Sequence, residues 1–218
     1  MEKRKTRIIL PEEFIKDIVI AAAAQYPNET RGALDGARKT LIKSPEDYYF
    51  DIALKKIIPY EDSKRKKTSV DASWIELILK NLNLYRDGRF IGTYHSHTYP
   101  GERRLPSNPE LSISPEDSEI NDGESSDLDA ILEVWKALEK ASGKRLEEYI
   151  EALVSIRQIK HTGTVQREKR WNFDDFPVVK YYGGVRRSFE ARVDCFYINR
   201  EERSVRKAGK ANTFVLIN

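Results

Sequence analysis

Apolar residues recur along the chain at two spacings, and each spacing predicts a different kind of element. Intervals of three and four residues are typical of an amphipathic helix, and they predict one that opens at Pro11 and ends near Pro27. Its expected core-facing residues are Phe14, Ile15, Ile18, Val19 and Ala22. The same spacing predicts a second helix from Val70 to Gly88 and a third that begins at Ser126.

Runs of β-branched and aromatic residues between these helices predict strands. They cover residues 7–10, 48–58, 89–98, 148–156, 189–199 and 213–217. We expect the last two strands to pair with each other across the turn-rich, basic segment between them. The chain shows no internal repeat and no linker, so the pattern predicts one α/β domain in which a mixed β-sheet is flanked by helices.

Composition narrows the classes of function. The net charge of +3 is small and no basic patch is interleaved with aromatic residues, so we expect no nucleic-acid partner. The longest apolar run, residues 18–24, is too short to span a bilayer, and no secretory-length apolar segment follows the basic start. The single cysteine, Cys195, cannot form an internal disulfide, which fits a reducing cytoplasm. We therefore expect a cytoplasmic protein without a membrane partner.

Two other features of composition bear on the source and the assembly. Lys, Glu and Arg are abundant and Met and Cys are scarce, which is the composition of many proteins from hot environments. Nothing in the sequence indicates the oligomeric state.

The predicted strand at 89–98 carries two histidines, His95 and His97. Side chains of a strand alternate between its faces, so these two imidazoles are expected on the same face. Imidazole is a good zinc ligand, and two on one rigid face can bind a single ion. The alternative is a chance pair of surface histidines. His161 is the only other histidine in the chain, and this scarcity argues against a chance pair.

A catalytic zinc site usually has three protein ligands and one water molecule. A carboxylate at the start of a helix after the histidine strand could be the third ligand. The segment Ser114-Pro-Glu-Asp117 has such a start, with serine at the N-cap and proline at N1. Ser126 and Asp129 share its spacing, so Asp117 and Asp129 are both candidates. A further carboxylate would act as general base, and a hydroxyl could stabilise an oxyanion.

Three segments together resemble the JAMM or MPN-plus family of zinc metalloproteases, the JAB domain, whose pattern is an upstream Glu, then His-x-His, then Ser-x-x-Asp. Residues 26–36 are similar to the family's glutamate turn and strand, residues 91–97 to its metal strand, and residues 114–120 to its Ser-x-x-Asp helix start. The resemblance extends from about Arg7 to Ile156, with the order of helices and strands preserved.

The resemblance implies a role for each matching residue. His95, His97 and Asp117 would bind Zn²⁺. Glu29 would be the general base and acid, and Ser114 would donate a hydrogen bond to the oxyanion. The implied activity is zinc-dependent hydrolysis of isopeptide or peptide bonds at the C-terminal tail of a ubiquitin-like protein, with that protein or its conjugate as substrate.

The resemblance also implies a cytidine-deaminase-like architecture. Residues 1–218 would form a single domain of this kind, with an insertion at about 98–113 and a C-terminal strand extension at 161–218. Two further departures from the family are visible in the sequence. Thr98 follows the second histidine where the family usually has proline, and Arg31 replaces the small residue common before the glycine of the first motif.

Two alternative functions stay open from the sequence. One is a zinc amidase or peptidase that acts on small substrates or on the tails of sulfur-carrier proteins. The other is a non-catalytic scaffold of the same fold. Scaffold members of the family typically lose the metal ligands, whereas Glu29, His95 and His97 are all present here, and this favours an enzyme.

Overall fold

The computed structural model describes most of the 218-residue chain. The described residues are 5–42, 48–60, 76, 80, 90–109, 111, 127–143, 145, 148–160, 170–183, 187–199, 204–207 and 213–216. The helix predicted between residues 70 and 88 lies outside this part except at residues 76 and 80, which are helical. Within the described part, no helix is long and apolar enough to cross a membrane.

The described elements combine ten strands of one sheet with helices, which confirms the predicted α/β class. In chain order they are β1 (Lys5–Pro11), α1 (Glu12–Gln25), β2 (Arg31–Ile42), β3 (Tyr48–Tyr60), β4 (Phe90–Thr98), α2 (Asp127–Ser142), β5 (Glu148–Ile159), β6 (Arg170–Asn172), β7 (Val178–Tyr182), β8 (Ser188–Asn199), β9 (Ser204–Lys207) and β10 (Thr213–Leu216).

All ten described strands belong to one sheet, in the order β10-β1-β3-β2-β4-β5-β8-β7-β6, with β9 also paired to β8. The pairs β1–β10, β1–β3 and β4–β5 are parallel, and the other pairs are antiparallel. Strand β4, which carries the two histidines, therefore lies inside the sheet, between antiparallel β2 and parallel β5. A central strand has neighbours on both sides, so it holds its side chains in fixed positions.

The prediction that the last two strands pair with each other is wrong. Strand β8 pairs with the short strand β9 instead, and β10 adds to the far edge of the sheet in parallel with β1. The chain also forms β6, where the sequence pattern predicted no strand, and β6 pairs antiparallel with β7. The β1–β10 pairing joins parts of the chain that are distant in sequence, so local patterns could not reveal it.

Helix α1 packs on one face of the sheet. Its five predicted core-facing residues are all buried, which confirms that expectation. They belong to a first core that is shared with β1, β5 and β8 and includes Ile8, Leu10, Leu34, Tyr94, Ala152 and Val154. Burial of each large apolar side chain stabilises the fold by roughly 1.5–3 kcal/mol.

Helix α2 packs on the opposite face, over a second core. Its buried face meets Ala33, Tyr149, Leu153, Phe196 and Ile198 through Ile131, Val134, Trp135 and Leu138. Consecutive residues of β5 alternate between the cores, since Ala152 and Val154 belong to the first and Leu153 to the second. The sheet is thus covered by a helix on each face, and odd-numbered residues of β5 point toward α2.

Candidate metal centre

The histidine pair lies on the α2 face of the sheet. Tyr94 of β4 is buried in the first core, so the alternation of the strand directs Thr93, His95 and His97 to the other face. The expectation of a shared face is met in the geometry: the Nε2 atoms of His95 and His97 lie 3.2 Å apart. The two rings therefore present their Nε2 atoms to one point.

Helix α2 begins directly at this point. Asp127 is its first residue, and its Oδ1 atom lies 3.5 Å from Nε2 of His95. Its Oδ2 atom lies 3.6 Å from Nε2 of His97. The helix dipole stabilises a carboxylate in the first turn of a helix. The negative charge of Asp127 therefore lies next to the two imidazoles. Among the described residues, His95, His97 and Asp127 form the cluster that could hold a metal ion.

The distances within this cluster fit a single zinc ion. With metal–ligand bonds of about 2.0–2.1 Å, neighbouring ligand atoms of a tetrahedral zinc site lie about 3.3 Å apart. The two Nε2 atoms lie 3.2 Å apart, close to that value. Asp127 approaches His95 with Oδ1 at 3.5 Å and His97 with Oδ2 at 3.6 Å. With one ligand atom per residue, the three atoms lie within 4.8 Å of one another. Two imidazoles and one carboxylate are also a ligand set that zinc accepts, and a fourth position is left for water.

The cluster is open on one side and closed on the other. The side chain of His95 is 11% exposed and that of His97 is 25% exposed. Behind His95, its Nδ1 atom lies 2.7 Å from Oε1 of Glu151, a carboxylate that is only 1% exposed. Burial alone would lower the pKa of His95, but the hydrogen bonds and charges of Asp127 and Glu151 outweigh it and raise the pKa to about 10. The site thus strongly favours positive charge at this position.

Glu29 lies in the segment that leads into β2, beside the cluster. Burial raises the pKa of Glu29 above its ordinary value, and the positive charges of His97 and His95 partly offset this effect. Glu29 therefore lies near enough to His97, His95 and Asp127 for their charges to act on its pKa. A raised pKa makes the Glu29 carboxylate a stronger base than an exposed one, which suits the role of a general base.

Arg31 faces the same site from the neighbouring strand. It is the register partner of His95 in the β2–β4 ladder, so the two side chains share a face. Burial lowers the pKa of Arg31, and the negative charge of Glu151 opposes that effect. Arg31, which stands where the family motif has a small residue, therefore places a cation at the edge of the candidate metal centre.

Two predicted site residues, Ser114 and Asp117, lie outside the described residues, so their roles stay predictions. Asp129 lies in α2, and its side chain is outside the described part. The structure places Asp127, which the sequence motif did not select, next to the two histidines. The Ser-x-x-Asp spacing selected Asp129 after Ser126 and passed over Asp127, although both stand in the first turn of the same predicted helix.

Comparisons with known proteins assign no family. No protein-family model matches the sequence, and no curated protein matches it. Among solved structures, the chain is similar to protein DSY2949 from Desulfitobacterium hafniense, with 14% sequence identity and a TM-score of 0.44 over 97% of this chain and 94% of that chain. At this TM-score the similarity assigns neither a fold family nor an activity to the chain.

Proposed function

We propose that this chain is a zinc-dependent metallohydrolase of the JAMM type that cleaves isopeptide or peptide bonds at the C-terminal tail of a ubiquitin-like protein. The observation that carries the proposal is the convergence of His95, His97 and Asp127 at zinc-like spacing with Glu29 beside them. The ligand set and the base are the parts that hydrolysis of an amide requires.

Each part has a chemical role in this proposal. Zinc, when bound, acts as a Lewis acid that makes a water molecule reactive near neutral pH. Glu29 accepts a proton from the attacking water and passes it to the leaving amine. The raised pKa of Glu29 supports this double role, since the proton must be both taken up and released. Ser114 is kept as the predicted donor to the oxyanion.

The third ligand in this proposal is Asp127. Its carboxylate already lies next to both histidine nitrogens, and three protein ligands complete a catalytic zinc site. Asp117, the residue that the family motif selects, and Asp129, two positions after Asp127, are the competing assignments. Substitution of each aspartate distinguishes the three assignments, because only removal of a true ligand should abolish zinc binding.

The JAMM-like architecture belongs to the same proposal. The order α1, β2, histidine strand β4 and α2 is the order that the resemblance implies, and it supports a domain of that kind. The long connection between β4 and α2 corresponds to the proposed insertion at 98–113. Its described part ends at Leu111, which is buried against the second core near α2, so the insertion returns to the site face.

The first experiment measures zinc content and cleavage in parallel. Purified wild type is expected to hold about one zinc per chain, by the three-ligand stoichiometry, and His97→Ala and Asp127→Ala are expected to lose it. Asp117→Ala and Asp129→Ala are the matched controls and are expected to keep it. Loss of zinc in Asp117→Ala but not in Asp127→Ala would return the third ligand to Asp117.

Cleavage is then tested on a ubiquitin-like protein with a fluorogenic group on its C-terminal tail. Wild type is expected to release the group, and Glu29→Gln is expected to retain zinc but to lose activity. Zinc binding without cleavage of this substrate, but with cleavage of a small amide, would favour the amidase or peptidase alternative. Absence of zinc from wild type after zinc is added back would favour a scaffold without catalytic function.

A further inference from the structure

We propose that Glu151 is a positioning residue that fixes the orientation of His95 for metal binding, through a buried hydrogen-bond chain formed by Tyr149, Thr93, Glu151 and His95. This inference rests on the proposed function, because it concerns the same metal centre. None of Tyr149, Thr93 and Glu151 contributes an atom to the ligand cluster, so their effect on the metal would be exerted through His95.

The chain of contacts is continuous. The hydroxyl oxygens of Tyr149 and Thr93 lie 2.6 Å apart. Thr93 donates a short hydrogen bond from its hydroxyl to Oε2 of Glu151. The other carboxylate oxygen, Oε1, lies 2.7 Å from Nδ1 of His95. Each of the two oxygens of Glu151 therefore has its own partner.

The direction of each hydrogen bond follows from the chemistry of the groups. A carboxylate only accepts, so Nδ1 of His95 must donate its proton to Glu151. The single hydroxyl proton of Thr93 is used toward Glu151, so the hydroxyl of Tyr149 must donate to Thr93. Every proton in the chain points toward Glu151.

The direction of these hydrogen bonds determines which ring nitrogen of His95 can bind a metal. With one proton held on Nδ1 by Glu151, Nε2 is the nitrogen left to bind a metal in place of a proton, and Nε2 is the atom next to His97 and Asp127. Metal-bound histidines in proteins commonly donate their other ring N–H to a carboxylate, which fixes the ring and makes it a better ligand. Glu151 meets that requirement from the sheet itself.

The strand register explains why the contact is rigid. Thr93 and Glu151 are direct partners in the β4–β5 ladder, and Tyr149 lies two residues before Glu151 on the same face. The ring of Trp135 from α2 stacks on Tyr149 with centroids 5.3 Å apart, and Phe90 meets Tyr149 edge-on at 5.8 Å. Aromatic rings thus enclose the far end of the chain.

Two polar residues of this hydrogen-bond chain, Glu151 and Tyr149, are buried. Glu151 is 1% exposed and Tyr149 is fully buried. Desolvation of a carboxylate is costly unless it is hydrogen-bonded and paired. A buried glutamate that contacts a candidate ligand on one side and a donor chain on the other is best explained as support for that ligand.

The test measures metal affinity and stability of the full chain separately. Zinc affinity is measured by competition with a chromophoric chelator, and the visible spectrum of bound Co²⁺ reports the ligand geometry. Glu151→Gln is expected to weaken zinc binding by about 10–100-fold, as loss of such supporting carboxylates typically does. Thr93→Val is expected to weaken it less, and Tyr149→Phe least, because they lie further along the chain.

Glu190→Gln is the matched control, since Glu190 is also a carboxylate on this sheet but pairs with Arg157 instead of the site. It is expected to bind zinc and Co²⁺ as wild type does. Urea unfolding of each metal-free variant separates a stability loss from an affinity loss. If Glu151→Gln does not fold, Thr93→Val keeps the test decisive, because Thr93 contacts Glu151 directly. A zinc affinity of Thr93→Val equal to that of wild type would then overturn the inference.

The outcomes distinguish this inference from the function on which it rests. Zinc bound equally well by wild type and Glu151→Gln would overturn the positioning role and leave the metal centre in place. Weaker zinc binding in Glu151→Gln with a changed Co²⁺ spectrum would support it, even if no ubiquitin-like substrate is cleaved. Absence of zinc binding in wild type would overturn both.

Discussion

Thr30 and Ser96 exchange two hydrogen bonds between the Glu29 segment and the histidine strand. The backbone N–H of Thr30 donates to Oγ of Ser96 at 2.8 Å, and the backbone N–H of Ser96 donates to the carbonyl of Thr30 at 2.8 Å. Ser96 is fully buried and Thr30 is nearly so. This pair fixes the residue after Glu29 to the residue between His95 and His97, so it sets the spacing of the proposed base and the proposed ligands.

Ser96→Ala is expected to destabilise the fold and to slow catalysis while zinc is retained. The substitution leaves the buried N–H of Thr30 without its acceptor, which costs about 1–3 kcal/mol. Urea unfolding measures the stability, and metal analysis measures the zinc. Thr98→Val is the control, since it removes a more exposed hydrogen bond to the carbonyl of Pro27 and should cost less. Equal stability of Ser96→Ala and wild type would contradict the expectation.

Gly92→Ala is expected to damage the fold more severely. A Cβ atom at Gly92 would lie 1.7 Å from the carbonyl oxygen of Ile150 on β5, so strands β4 and β5 would have to separate. Overpacking of this kind typically costs 1–3 kcal/mol, and backbone contact this close places the cost at about 3 kcal/mol or more. Urea unfolding or loss of folded protein on expression would show it.

Gly143→Ala provides the comparison for this prediction. Gly143 follows α2 with a φ of +65° and open space around its Cα, so alanine there is expected to cost only about 1 kcal/mol, from backbone strain. If Gly92→Ala were no less stable than Gly143→Ala, the close approach of β4 and β5 at Ile150 would not hold.

The elements that local patterns define were predictable from the sequence. The apolar spacing after Pro11 gave the buried face of α1 residue by residue, and alternation along β4 placed His95 and His97 on one face. The proposed third ligand, Asp127, was not predictable in the same way. Which carboxylate of the first turn of α2 meets the histidines depends on how that helix lies across the sheet, and this is a tertiary property.

Glu151 illustrates a signal that was present in the sequence and was missed. It interrupts an otherwise apolar strand, Tyr149 to Val154, and a charged residue inside a buried strand requires a partner. The partner, however, is set by the parallel register of β4 and β5. The sequence alone could therefore indicate that Glu151 needs a partner, but not that His95 is that partner.

Cys195 is expected to be unreactive in the folded protein. The thiol is buried in the first core, and burial, together with the negative charges of Asp194 and Glu151, raises its pKa well above the ordinary value. The reactive thiolate is therefore scarce even at mildly alkaline pH. Alkylation by iodoacetamide, followed by mass spectrometry, should label the chain only after unfolding in urea. Fast labelling of the native protein would show that the first core is accessible at β8.

Zinc is expected to raise the thermal stability of wild type but not of His97→Ala. A ligand that binds only the folded state at 100 times its dissociation constant adds about 2.7 kcal/mol. For a chain of this size that corresponds to a rise in Tm of roughly 5–10 °C. Scanning calorimetry with and without EDTA measures the shift. Asp127→Ala should behave as His97→Ala does, because each removes one of the three proposed ligands. An equal rise in Tm in wild type and both variants would place the stabilising zinc elsewhere on the protein.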